Sequence, residues 1–181
     1  MLYAKHKVFV SFHHANDRYY RDAFEELFAE TADVFISKSV QIGEIPAWLD
    51  SDSVRAKIRD EYLCDSTVTI VLVGSQTWQR RHVDWEISSS IRQTKLSTRS
   101  GLIGILLPTH PSYYTPTYDA GIVPPRLVDN QVSGFAKIYN WTTDPATVAG
   151  WIAGAFDRRL KVEPDNSYPH FVYNKSGDRW K

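Results

Sequence analysis

The chain predicts an α/β fold: a five-stranded parallel sheet in the flavodoxin-like order 2-1-3-4-5, with helices on both faces. Short apolar runs of strand length alternate with segments whose apolar residues recur at helical spacing, and strands separated by helices imply right-handed crossovers and a parallel sheet. Residues 67–74, Thr-Val-Thr-Ile-Val-Leu-Val-Gly, form the most strand-like run and read as a buried central strand. Asp144 followed by Pro145 supplies a cap and a proline at the first helical position, marking where the last helix starts.

The elements follow in order. Residues 7–12 read as the first strand. Asn16 or Asp17 then caps a helix whose Tyr20, Phe24, Leu27 and Phe28 share a face. Residues 33–37 form the second strand, and residues 38–50, with Gly43, Pro46 and Trp48, form a loop. Asp52 or Ser53 starts a helix with Val54, Ile58 and Tyr62 on one side. The central strand leads through a polar turn into a helix that runs to about Gln93. Residues 102–107 form a fourth strand ended by Pro108, and a short fifth strand near 136–139 precedes the last helix. Two segments fall outside this frame. Residues 109–134 are a long connection rich in Pro and Tyr, of a length that points to a lid or contact surface. The tail, 161–181, carries Tyr168, Phe171, Tyr173 and Trp180 and is expected to pack on the domain or on a partner. The expected organisation is one domain over 1–160, with the 109–134 insertion, and an appended tail.

Bulk properties narrow the function. Lys plus Arg and Asp plus Glu are both 21, so no net charge favours nucleic acid or an anionic membrane. Arg92, Lys95 and Arg99 read as a solvated helix end. One cysteine, Cys64, excludes an internal disulfide and suits a reducing compartment. It reads as an inert, half-buried thiol beside Leu63. No apolar stretch approaches the roughly 18 residues of a membrane span, and the first apolar run is too short for a secretory signal. A cytoplasmic location is expected.

Several chemistries lack their motifs. Neither a dinucleotide-binding G-x-G-x-x-G after the first strand nor a P-loop occurs. Gly74-Ser75 has no second glycine to complete a nucleophile elbow. The six histidines have no metal-ligand spacing with one another or with Cys64, so no metal is expected. What remains is a convergence at the carboxyl edge of the sheet, where open α/β proteins bind ligands. Ser11-Phe12-His13-His14 follow the first strand, Ser37-Lys38 the second, and Ser75 to Trp78 the third. Glu86 lies about two turns into the next helix, with His82 one turn earlier on the same face. Val83, Ile87 and Ile91 form the neighbouring apolar stripe. Spacing alone reads Glu86 as a half-exposed glutamate paired with His82 or an arginine. Likewise Phe9, Phe12, Trp78 and Trp85 read as packing, and His13 and His14 as loop residues.

Residues 7–17, Lys-Val-Phe-Val-Ser-Phe-His-His-Ala-Asn-Asp, and 71–87, Val-Leu-Val-Gly-Ser-Gln-Thr-Trp-Gln-Arg-Arg-His-Val-Asp-Trp-Glu-Ile, resemble TIR-like domains. The resemblance is to the bacterial group that includes the Thoeris antiphage TIR proteins. It covers residues 6–107 and extends loosely to the last strand and helix, leaving 109–134 and the tail uncovered. It implies that Glu86 is the catalytic glutamate of an enzyme that cleaves NAD+, with NAD+ as substrate and no cofactor. It also implies that residues 38–50 gate the site or serve self-association, and that the product, cyclic or linear ADP-ribose, reaches a separate effector protein. Ser11, Phe12, His13, Ser37, Trp48, Ser75, Trp78 and His82 are the expected substrate contacts. Trp48 and the acidic residues after the loop depart from the proline-glycine-rich loop of animal adaptors, whose assembly modes do not carry over. Two other readings remain: a non-catalytic TIR-like assembly module, and an N-glycosidic enzyme like the nucleoside deoxyribosyltransferases.

Overall fold

A computed structural model describes residues 6–29, 33–35 and 50–180. Strands β1 (Lys7–Ser11), β2 (Asp33–Phe35), β3 (Val68–Val73), β4 (Gly101–Leu106) and β5 (Ala136–Asn140) alternate with helices α1 (Arg18–Phe28), α2 (Ser51–Lys57), α3 (Arg81–Ser90), α4 (Pro125–Val132) and α5 (Pro145–Arg158). The helices and the parallel sheet make the fold α/β, as the alternating pattern predicts. β1, β3, β4 and β5 pair in chain order and carry the core, in registers such as Ser11↔Val71, Val73↔Leu106 and Leu106↔Asn140. The short β2 pairs with β1 from Lys7↔Asp33 to Phe9↔Phe35, giving the order β2-β1-β3-β4-β5.

Alternation along each strand divides the core. Val8, Val10, Ile70, Leu72, Ile103 and Ile105 meet Phe24 and Phe28 of α1 and Val148, Ile152 and Ala155 of α5. On the other face Val71, Val73, Leu102 and Leu106 meet Val83 and Ile87 of α3 and Leu127 and Val128 of α4, while Phe9 packs with Val54 and Ile58. The β4–α5 contact is so close that a Cβ on Gly101 would lie 2.6 Å from the Ala155 carbonyl carbon.

Several expectations are corrected. Residues 109–134 are more than a long connection: they hold a 3-10 turn at Ala120–Ile122 and the helix α4, whose first residue is Pro125. Proline at a first helical position is a start signal, here concealed within Pro124-Pro125. Asp50, not Asp52 or Ser53, caps α2, accepting from both of their backbone amides at 2.9 Å. Helix α3 ends at Ser90, short of Gln93. The Arg92–Arg99 cluster is therefore no helix end: Arg92 pairs with Asp52, while Arg99 donates to the Arg159 carbonyl at 2.5 Å and pairs with Glu163 at 2.6 Å. Cys64 is exposed on the turn following the π-helical turn Ile58–Tyr62. Asp144 does cap α5, accepting from Ala146 N and Thr147 N, with Pro145 at the first position.

The tail packs on the domain, along the outer side of α3. Asn166 Nδ2 donates to the Ser88 carbonyl near one end of that helix, and Asn174 Oδ1 accepts from Arg81 N at the other. Between them Trp85 Nε1 donates to the Phe171 carbonyl at 2.9 Å. Ser88, Ser89 and Ser90 are fully buried. Among the described residues no helix is long and apolar enough to cross a membrane.

Candidate active site

Because β1 and β3 are neighbours and β3 feeds α3, the end of β1 meets the middle of α3. Ser11 closes β1 and donates from Oγ to Glu86 Oε2 at 2.5 Å. Ser11 is 1% exposed and Glu86 2%, so Glu86 is not the half-exposed surface glutamate that spacing alone allowed. Burial pushes its carboxyl above the ordinary value, and His82 and the Ser11 hydroxyl pull the other way. His82 Nε2 donates to the Phe12 carbonyl at 3.0 Å, tying α3 to the turn after β1. Phe12 stacks on His14 at 4.4 Å, and His14 meets the His82 ring edge-on at 5.0 Å.

The two turns flanking this cluster are joined beneath it. Thr77 Oγ1 donates to the buried Asp17 carboxylate at 3.2 Å and accepts from Gly74 N at 2.9 Å. A Cβ on Gly74 would lie 2.7 Å from Asp17 Cγ. Gly74→Ala is therefore expected to push Asp17 off Thr77 and cost about 1–3 kcal/mol, the usual range for overpacking. Denaturant unfolding checks this, and an unchanged midpoint would show that Asp17 yields freely.

The expected contacts divide. Ser11, Phe12, His13, His82 and Glu86 come together. Trp78 is 2% exposed and Phe12 4%, so both pack inward rather than offering open stacking faces, and Ser75 is exposed on the turn after β3. Ser37 and Trp48 lie outside the described residues. Arg80 was not singled out in the sequence, Asp17 was read only as a possible cap of the first helix and Thr77 only as part of the run 75–78, since only the fold brings the two turns together; His14 was visible in the same run as His13. Among the described residues no group of three suitable side chains could hold a metal. A cleft of about 430 Å³, lined by Leu106, Ser112, Tyr118, Ile138 and Asn140 at the carboxyl ends of β4 and β5, shares no residue with this cluster.

Burial, aided by Arg80, His82 and His14, holds His13 down at about 4; burial, His82, Arg21 and Arg18 do the same to His14. His170 of the tail is likewise lowered to about 4, by burial and by Arg126, Arg55 and Arg92. Folded values below the unfolded value near 6.5 mean that this stability is present above about pH 6.5 and lost as pH falls through 4. The melting temperature is expected to fall over that window, and less steeply when His14 is replaced by Gln. A melting temperature that is flat from pH 7 to pH 4 would contradict neutral, buried imidazoles.

A parallel α/β sheet whose central strand leads into a helix with a buried glutamate at the carboxyl edge is compatible with a TIR-like domain. Residues 9–112, more than half of the chain, match the family model described as Thoeris protein ThsB, TIR-like domain, and the chain belongs to that family. It is thus a TIR-like protein of the Thoeris antiphage type. No curated protein matches the chain. The match ends before α4, β5, α5 and the tail.

Proposed function

We propose that the protein cleaves the nicotinamide–ribose bond of NAD+ and that Glu86 is its catalytic residue. The observation that carries this reading is the buried Glu86 carboxylate at the sheet's carboxyl edge, held by the Ser11 hydroxyl. Cleavage expels neutral nicotinamide, so no general acid is needed, and positive charge develops on the ribose as in an oxocarbenium-like transition state. A carboxylate withdrawn from water opposes that charge far more strongly than an exposed one. Ser11 and His82 act on the carboxylate, and Ser37 and Trp48 remain candidate contacts to the ribose and bases. Capture of the ribosyl cation by a nucleophile of the same molecule yields a cyclised ADP-ribose, and capture by water yields ADP-ribose. A cyclised product is a messenger to a separate effector in antiphage defence.

Purified protein incubated with NAD+ is expected to release nicotinamide, with mass spectrometry reporting the product. If wild type and Glu86→Gln are equally inert when concentrated or triggered, the glycosidic reading is wrong. The pH profile gives a second check. Glu86 acts ionised, and burial raises its pKa, so activity falls on the acid side at a pH above the ordinary carboxylate range.

A further inference from the structure

Two buried nitrogens near the amino end of α3, Arg80 Nε and His13 Nδ1, have no hydrogen-bond partner among the described residues. Arg80, half-buried at the turn between β3 and α3, donates from Nη2 to Gln79 Oε1 at 3.1 Å, and its buried Nε has no partner among the described residues. No carboxylate pairs with Arg80 among those residues. His13 is 6% exposed, and its buried Nδ1 is likewise unpartnered. His82, the second residue of α3, donates to the Phe12 carbonyl at 3.0 Å, which brings the adjoining His13 to the amino end of α3. That ten-residue helix has no side-chain cap, and its dipole end favours an anion. Buried polar atoms without partners are costly and call for one.

We propose that Arg80 and His13, at the amino end of α3, form an anion subsite that takes the pyrophosphate of a dinucleotide. This rests on the NAD+ reading, because Glu86 then holds the ribose whose 5′-phosphate lies toward Arg80. Six residues of helix separate the two, about 9 Å of axis, a reach that a ribose 5′-pyrophosphate covers. Arg18, which acts on neighbouring His14, adds to the positive field, whereas Arg21 is paired with Asp22 and Glu25.

Calorimetric titration with inorganic pyrophosphate, ADP-ribose and adenosine tests the subsite without requiring turnover. Wild type is expected to bind pyrophosphate and ADP-ribose. Arg80→Gln weakens both by about tenfold or more, the scale of a lost charge-assisted contact, and Arg80→Lys restores part of the loss. In turnover, Arg80→Gln raises KM for NAD+ with kcat nearly kept, and leaves nicotinamide riboside unaffected. Unchanged ADP-ribose affinity in Arg80→Gln, or an equal loss for adenosine, overturns the subsite. Arg80-dependent binding of pyrophosphate without nicotinamide release overturns the glycosidic reading and leaves the subsite standing. Release that ignores Arg80 does the reverse.

Discussion

Glu86→Gln is expected to lower nicotinamide release by on the order of a thousandfold, the scale seen when one preorganised electrostatic contact is removed from a transition state, while the protein stays folded. Gln fills the same volume and keeps an oxygen for the Ser11 hydroxyl, which donates to Glu86 Oε2 at 2.5 Å. What disappears is the negative charge. Burial pushes the Glu86 carboxyl up, so ionising it costs the folded state stability once pH exceeds the unfolded value near 4.3. Glu86→Gln is therefore expected to be as stable as wild type at pH 4 and more stable at pH 7. A residue kept at a cost to stability and required for turnover is the pattern of a catalytic group. Loss of activity accompanied by a lower melting temperature at pH 7 would instead make Glu86 a structural residue.

Much of this arrangement is written in local sequence. The buried run leading to Gly74, the Asp144-Pro145 start and the stripe Val83, Ile87, Ile91 each follow from nearest-neighbour chemistry, and each stands where the pattern puts it. Glu86 and His82 share a face because helical spacing requires it. The sequence is silent where contacts join distant residues. Ser11 meets Glu86 across 75 positions and Thr77 meets Asp17 across 60. Asp17 occupies the α1 cap position without capping, because its carboxylate is drawn into the second turn, a competition no local rule anticipates. Helix α4 is concealed for a different reason: its eight residues are framed by prolines and a long polar connection, so its apolar pair Leu127 and Val128 gives too short a stripe to stand out. The tail's aromatic residues announce packing, but its hold on α3 runs mostly through backbone groups, which carry no sequence signature.

That hold centres on Arg126, where the largest stability effect is expected. Arg126 of α4 is fully buried and Asp84 of α3 is 3% exposed. Arg126 Nε donates to Asp84 Oδ1 at 2.9 Å, Nη1 to Asn166 Oδ1 at 2.8 Å and Nη2 to the Tyr168 carbonyl at 2.7 Å. Asp84 Oδ2 accepts from Phe171 N at 3.1 Å. One cation thus ties two helices and the tail, two residues from Glu86. Burial pushes the Asp84 carboxyl up and Arg126 opposes that, so removing the guanidinium strands a carboxylate in a dry interior. Arg126→Ala is expected to cost about 3–5 kcal/mol, the range for breaking a buried pair by removing one partner. Asp84→Leu with Arg126→Met removes both charges and is expected to recover much of the loss, because neither ion is then left uncompensated. Denaturant unfolding of the two variants decides it. A loss under about 1 kcal/mol in Arg126→Ala, the scale of an exposed ion pair, would mean the tail is held by its other contacts. A large loss that the double variant recovers, with nicotinamide release still depressed, would show that the tie sets the position of Glu86 and not only the stability of the fold.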